Sequence, residues 1–169
     1  DTWIVEQLRP EVRRQMAELQ DSDPECSASW TRLVDRTLGL LHSSGVRREE
    51  LEACLERIPY FDEMFEAARW AHVQGCDLAI VSDANEVFIA TILAKHGLDK
   101  IFGEVCTNFA AYEDGGAGPL RVRPYVDPAT PHDCPRCPPN MCKGSIVKRM
   151  LAARPRGRVV YVGDGGGDL

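Results

Sequence analysis

Residues 159–168, with the sequence VVYVGDGGGD, decide how the rest of the chain is interpreted. Four consecutive β-favouring residues predict a buried strand at residues 158–162, and the glycines after it predict a turn with unusual backbone angles. Asp164 and Asp168 therefore follow the C-terminal end of a strand, the edge where open α/β sheets place their ligands. Carboxylates on such a turn offer the hard oxygen ligands that Mg²⁺ prefers, or they cap the next helix.

The length and composition of the chain limit its class. With 169 residues it suits one domain, with room for an inserted subdomain and a sizeable core. A net charge of −6 argues against a nucleic-acid partner, and the apolar runs fall short of the roughly 20 residues of a membrane span. Seven cysteines cannot all pair within the chain, so a reducing cytoplasmic location is predicted. Because the chain opens on Asp1 and stops inside a turn, we expect it to be an interior piece of a longer protein.

Residues 1–75 carry helical patterns and predict a small helical bundle. Within residues 27–42, the side chains expected to face inward are those of Trp30, Leu33, Val34, Leu38 and Leu41. Apolar residues at helical spacing predict helices over residues 3–19, 27–42, 47–58 and 61–74. The last of these helices is expected to bury one face, formed by Met64, Phe65, Ala68 and Ala71.

After Gly75 the pattern changes to alternating strands and helices. A loop rich in proline and cysteine occupies residues 127–141. This alternation predicts an α/β fold with a mostly parallel sheet. Strands are predicted at residues 77–82, 101–108 and 158–162, helices at 85–96 and 144–151, and a short strand or hairpin arm at 120–126.

Two further polar segments stand where strands end and helices begin. Ser82 follows an apolar run, where its hydroxyl and the first amides of the next helix form a cradle for phosphate, or where it caps that helix. Asp83 would repel a phosphate, so it faces a cationic part of a substrate or acts as the cap. Lys143 opens a helix and could neutralise phosphate charge, although most lysines at such positions are simply solvated.

The proline- and cysteine-rich loop holds a group of possible metal ligands. His132, Cys134, Cys137 and Cys142 are of types that could bind zinc, but their crowding favours a structural or thiol role over zinc. The remaining cysteines are predicted to be small core residues, and they are Cys26, Cys54, Cys76 and Cys106.

Taken in the order Ser82, Lys143 and Asp164, the three segments resemble motifs two, three and four of the haloacid dehalogenase superfamily. The sequences IVSDAN at residues 80–85, CPRCPPNMCK at 134–143 and YVGDG at 161–165 look like the phosphoethanolamine/phosphocholine phosphatase family and its plant phosphatase and pyrophosphatase-like relatives. The resemblance covers essentially the whole chain. It implies an α/β Rossmann-like core with a parallel sheet at residues 76–169 and an inserted helical cap at residues 1–75.

The resemblance also implies an activity and roles for site residues. Asp164 would bind Mg²⁺, Ser82 and Lys143 would hold the phosphoryl group, and Asp1 and Asp83 would contact the substrate. The implied reaction is Mg²⁺-dependent hydrolysis of small phosphomonoesters, such as phosphoethanolamine or phosphocholine, through an aspartyl-phosphate. A small phosphorylated metabolite is therefore the expected partner.

The first motif of that family, Asp-x-Asp-x-Thr on the central strand, is expected upstream of Asp1, and the C-terminal part of the core beyond residue 169. The chain is therefore expected to be inactive alone, because the nucleophilic aspartate belongs to that motif. The strands at residues 77–82 and 158–162 should run parallel on either side of the central strand, with Ser82 and Asp164 facing one cleft. The alternatives are a non-catalytic zinc-binding module around residues 132–142 and an inactive truncated product.

Overall fold

A computed structural model describes residues 2–153 and 157–163 of the chain. Within these ranges, no helix has both the length and the apolar character needed to cross a membrane. The helical half contains α1 (Thr2–Leu8), α2 (Val12–Ser22), α3 (Pro24–Ala28), α4 (Trp30–Ser43), α5 (Arg48–Leu55) and α6 (Asp62–Val73). The elements that follow are β1 (Leu78–Asn85), α7 (Glu86–Lys95), β2 (Phe102–Tyr112), β3 (Leu120–Arg123) and α8 (Lys143–Ala153).

The helical half has more and shorter helices than the apolar spacing predicts. The helix predicted at residues 3–19 is interrupted at Pro10, and the one predicted at residues 27–42 is preceded by the separate helix α3. Local capping explains the second break. The carboxylate of Asp23 accepts a hydrogen bond of 2.9 Å from the Glu25 amide, and Ser29 Oγ accepts one of 3.3 Å from the Arg32 amide. Each cap starts a new helix.

Trp30 and the apolar face of α6 are more exposed than the spacing predicts. Trp30 is 43% exposed and Met64 is 51% exposed. No residue of α6 is buried, although the whole helix is among the described residues. Of the described elements, β1 is the main neighbour of α6. Helical spacing therefore identified an apolar face correctly, but it could not show whether another layer covers that face.

One core joins the helical half to the sheet. It contains Leu33 and Leu55 from the helices, Phe88 from α7, and Leu120 and Val122 from β3. The first two side chains are completely inaccessible, at 0% exposure. The helices therefore pack directly on the sheet through an apolar interface.

A buried carboxylate crosses the same interface. Asp35 of α4 is 1% exposed, and its Oδ2 accepts a hydrogen bond of 2.7 Å from the Arg121 guanidinium. Its Oδ1 accepts a second bond of 2.9 Å from the backbone amide of Val122. Because a buried charge is tolerated only when it is paired and hydrogen-bonded, these two contacts fix the position of α4 on β3.

The sheet has the strand order β1-β2-β3. β1 and β2 are parallel, with Ile80 opposite Val105 and Val81 opposite Cys106, and α7 connects them. β3 is antiparallel to β2, as a hairpin arm. The parallel pair and its connecting helix confirm the predicted α/β class.

The connecting helix α7 begins and ends as predicted. Asn85 caps its N-terminus, where Oδ1 accepts a hydrogen bond of 3.0 Å from the Phe88 amide. Gly97 follows its C-terminal end with φ of +62°, a backbone angle that glycine adopts without strain.

The strand predicted at residues 158–162 is absent, although these residues are described. Val160 is 78% exposed and Val162 is 70% exposed. β-favouring residues form a strand only where a neighbouring strand supplies backbone partners, and among the described residues β1 pairs with β2 alone. The expected parallel arrangement with residues 77–82 is therefore wrong for the described residues. Asp164, which was expected to face Ser82, lies outside them.

Candidate functional site

Two of the predicted site residues meet at the C-terminal end of β1. Asp83 lies near the end of this strand, and Lys143 is the first residue of α8. The Nζ atom of Lys143 lies 3.1 Å from Oδ2 of Asp83, and the two side chains are 19% and 36% exposed. The fold thus places the beginning of α8 at the strand edge where parallel sheets bind ligands.

Two buried asparagines bond to this ion pair and its strand. Nδ2 of Asn140 donates to Oδ1 of Asp83 at 2.8 Å and to Oδ1 of Asn108 at 3.3 Å. Nδ2 of Asn108 donates to the carbonyl oxygens of Asp83 and Ala84 at 2.7 and 2.9 Å, and its Oδ1 accepts from the Tyr125 amide at 3.1 Å. These bonds tie together the end of β1, the middle of β2 and the loop before α8.

Sequence reasoning missed both asparagines. For Asn108 a signal existed, because it continues the run VCT at residues 105–107, and a polar residue inside a buried strand must find hydrogen-bond partners. Asn140 offers no such signal. It lies in an irregular loop, and its partner Asp83 is 57 residues away in the chain.

Ser82 lies at the same strand end and is not the cap of α7. Its Oγ accepts a hydrogen bond of 3.2 Å from the Ala84 amide, while Asn85 supplies the helix cap. The serine is half-buried. Its hydroxyl therefore stands beside Asp83 without a capping role, which leaves a ligand-binding role open to it.

The arrangement can bind an anion next to the strand end. Asp83, which is itself bonded to Asn140, holds Lys143 in place. A lysine ammonium has three N–H donors, so its bond to Asp83 does not exclude a phosphoryl oxygen as a further acceptor. The amides in the first turn of α8 add the partial positive charge of a helix N-terminus.

The described residues do not by themselves fit Mg²⁺. Both carboxylate oxygens of Asp83 are bonded, to Lys143 and to Asn140. Within residues 2–153 and 157–163, the one close group of three or more potential ligands is a set of cysteines, and sulfur is a poor ligand for Mg²⁺. The predicted Mg²⁺ ligand Asp164 and the predicted substrate contact Asp1 both lie outside the described residues.

That set of cysteines, the thiol cluster, consists of Cys134, Cys137 and Cys142. The Sγ atom of Cys137 lies 3.5 Å from those of the other two, and all three sulfur atoms lie within 4.8 Å of one another. His132 is outside the cluster. Its Nε2 lies 2.9 Å from the carbonyl oxygen of Pro138, and its Nδ1 accepts from the Cys134 amide at 3.3 Å.

The thiols of the cluster differ in acidity. Ser145 Oγ donates to Cys142 Sγ at 3.1 Å, and hydrogen bonds from Ser145 lower the pKa of the Cys142 thiol to about 7. The pKa of Cys137 is raised to about 12 because its hydrogen bonds with Cys134 and Cys142 favour the protonated form. The cluster is therefore able to lose a proton near neutral pH.

The remaining cysteines are mostly as predicted. Cys26, Cys54 and Cys106 are buried members of the hydrophobic clusters, and this confirms their role as small core residues. The sulfur of Cys106 also contacts the polar side chains of Glu104, Tyr125 and Arg149. Cys76 is exposed, so the prediction is wrong for this residue. It lies in the turn between α6 and β1, outside the core.

Comparison with known proteins supplies the family. The family model described as "Putative Phosphatase" matches residues 1–169. No solved structure matches the chain.

Three curated relatives illustrate the kinds of protein to which the chain is similar. The chain is 38% identical to a thiamine phosphate phosphatase-like protein of Arabidopsis thaliana, over 100% of the chain and 67% of that protein. It is 38% identical to inorganic pyrophosphatase 2 of the same plant, over 99% of the chain and 59% of that protein. It is 32% identical to pyridoxal phosphate phosphatase PHOSPHO2 of Mus musculus, over 100% of the chain and 69% of that protein.

The chain thus spans between 59% and 69% of the length of these relatives. Their names all describe enzymes that remove or cleave phosphate groups, in agreement with a lysine held at the C-terminal end of a parallel strand. Because the family match extends from the first residue to the last, the chain belongs to the Putative Phosphatase family, a family of haloacid dehalogenase-type phosphatases.

Proposed function

We propose that the protein to which this chain belongs hydrolyses small phosphomonoesters, with Mg²⁺ and through an aspartyl-phosphate intermediate. The observation that carries this proposal is the position of Lys143, held by Asp83 at the C-terminal end of β1. Family membership supports the phosphatase chemistry. The Mg²⁺ dependence is supported by the resemblance of the motifs.

In the proposed site, Lys143 and Ser82 hold the phosphoryl oxygens. The ammonium acts as a point charge that neutralises the phosphoryl group as charge moves onto the leaving oxygen. Ser82 adds a hydroxyl donor from the same strand end. Neither residue is the nucleophile in this proposal.

The nucleophile is an aspartate in an Asp-x-Asp-x-Thr segment upstream of Asp1. Its carboxylate attacks phosphorus, and the bond from phosphorus to the alcohol oxygen breaks as a second aspartate protonates that oxygen. Water then attacks the aspartyl-phosphate, which releases inorganic phosphate and restores the carboxylate. A chain without that segment should therefore release no phosphate.

The substrate class is a small phosphorylated metabolite, with phosphoethanolamine and phosphocholine as candidates. In the proposal Asp83 contacts the cationic head of such a substrate. Its two bonded oxygens support a second role, in which it positions Lys143. The two roles predict different substrate dependence.

The variant Asp83→Asn, in an active extended protein, separates these roles. If Asp83 binds an ammonium group, kcat/KM should fall on the order of a hundredfold for phosphoethanolamine and much less for a neutral phosphomonoester. Equal losses on both substrates would assign Asp83 to the positioning of Lys143 instead.

The main experiment compares phosphate release by residues 1–169 with release by a version extended upstream through the Asp-x-Asp-x-Thr segment, with and without Mg²⁺. The extended protein should be active and the shorter chain silent. In the extended protein, Lys143→Ala should lower kcat/KM by roughly 10²–10³-fold. Lys148→Ala is the matched control, because this exposed lysine lies on the same helix.

Two results would contradict the proposal. Activity in residues 1–169 that disappears on Asp164→Asn would place the nucleophile within this chain. Equal activity of the Lys143→Ala and Lys148→Ala variants would remove Lys143 from the site.

A further inference from the structure

The loop that contains Asn140 and directly precedes Lys143 has few backbone hydrogen bonds of its own. Residues 124–142 are all described and contain neither helix nor strand. One backbone bond of 2.9 Å joins the Val126 amide to the Asn140 carbonyl across the loop. Several residues of the loop lack an N–H donor, and they are Pro124, Pro128, Pro131, Pro135, Pro138 and Pro139. Something besides backbone hydrogen bonds must therefore hold this segment in shape.

We propose that Cys134, Cys137 and Cys142 bind one Zn²⁺ ion, which fixes the loop and with it the positions of Asn140 and Lys143. Tetrahedral zinc with Zn–S bonds of about 2.3 Å places its sulfur ligands about 3.8 Å apart. The observed separations of 3.5 Å around Cys137 are close to that value, so only small movements are needed to admit the ion.

The chemistry of the donors selects the metal. Three thiolates form a soft ligand set that favours zinc over Mg²⁺. Both ring nitrogens of His132 are in hydrogen bonds, to Pro138 and Cys134, so the proposed site uses three protein ligands, and a water molecule would complete the tetrahedron. Met141 lies between Asn140 and Cys142 in the chain. It is 1% exposed and belongs to a small apolar core, so it links the thiol cluster to that core.

A zinc ion here is not a second function in competition with hydrolysis. The thiol cluster and the ion pair of Lys143 and Asp83 share one loop, and Cys142 directly precedes Lys143. The ion would be structural, and its binding can be measured whether or not the protein hydrolyses anything. Oxidation of two of the three thiols to a disulfide is the competing state.

The test measures zinc in residues 1–169 purified under reducing conditions without chelator. About one zinc ion per chain is expected, and Co²⁺ in its place should give sulfur-to-metal charge-transfer absorption. Changes to residues that hydrogen-bond to a metal's ligands weaken metal binding by roughly 10–100-fold. Cys137→Ser removes a ligand itself, so it should weaken zinc binding by more than that. Cys76→Ser is the matched control, since Cys76 is exposed and outside the cluster, and it should bind zinc normally.

A second measurement protects the test against misfolding of the variant. Removing zinc from the unmodified chain with a chelator should lower Tm and speed amide exchange at Val126, and added Zn²⁺, but not Mg²⁺, should restore both. The proposal is overturned if the reduced chain holds no zinc, if the two variants bind it equally, or if the purified chain contains a disulfide between cluster cysteines instead. Zinc removal without any change at Val126 would overturn the role in fixing the loop.

Discussion

The helical core and the strand-end site are held together by different forces. Leu33 and Leu55 are positioned by apolar burial, which is strong but not directional. Asp83, Asn108 and Asn140 are positioned by hydrogen bonds of defined geometry. Changes in the core should therefore alter global stability, whereas changes at the site should alter local order and ligand binding more than stability. The following variants test that division.

The largest expected effect is in the core. Leu55→Ala should lower the free energy of unfolding by about 2–5 kcal/mol, because a side chain with 0% exposure leaves a cavity. Urea unfolding of residues 1–169 measures it. Leu151→Ala, at a leucine that is 40% exposed, should change the free energy by less than about 0.5 kcal/mol. Similar losses in both variants would mean that Leu55 is not in a packed core.

The second-largest loss of stability is expected at Asp35, the buried carboxylate between the helical half and the sheet. Asp35→Ala removes the acceptor of both the Arg121 guanidinium and the Val122 amide, and should destabilise the chain by about 1.5–3 kcal/mol. Asp99→Ala is the control, because Asp99 is exposed. If adding Arg121→Ala to the Asp35 variant costs as much as Arg121→Ala alone, the pair is not coupled.

A smaller loss of global stability is expected from a change in the hydrogen-bond network around Asn108. Asn108→Ala should cost about 1–2 kcal/mol, since the Tyr125 amide and the carbonyl oxygens of β1 lose their partner. Hydrogen exchange at Tyr125 should accelerate more than at core amides. The neighbouring Thr107→Val is the control. Its buried hydroxyl has no hydrogen-bond partner among the described residues, so its removal should be nearly neutral.

The smallest effect is expected at the cap of α7. Asn85→Ala should lower the free energy of unfolding by about 1 kcal/mol, because the Phe88 amide loses its acceptor. Asn85→Asp keeps an acceptor oxygen and should recover most of that loss in thermal unfolding. A loss that aspartate does not recover would point to the burial of Asn85, rather than capping, as its contribution.

The sequence predicted those parts of the fold that depend on local patterns. β1, α7 and the hairpin arm β3 all follow from patterns of residues within a few positions of one another. The predicted strand at residues 158–162 and the buried face of α6 failed because burial depends on a neighbour, which periodicity does not report.

The residues of the candidate site likewise divide into those that local sequence predicted and those that it did not. Asp83 and Lys143 were identified from their positions at element ends, and the structure brings them together. Asn140 was missed because its role exists only through contacts between segments far apart in the chain. Ser82 was identified, but its interpretation as a possible helix cap was resolved only by the observed bond of Asn85.

The buried carboxylate of Asp35 has a consequence for how the chain folds. Its two partners, Arg121 and Val122, follow it by 86 and 87 residues. During synthesis α4 leaves the ribosome long before β3 exists, and until then Asp35 keeps its water and the helices lack Leu120 and Val122 of their core. Helical bundles rich in local contacts fold quickly, but this bundle cannot complete its core until the distant hairpin of β2 and β3 has formed. Its final docking is therefore a late, long-range event, and a nascent chain that ends before β3 should expose apolar surface to chaperones.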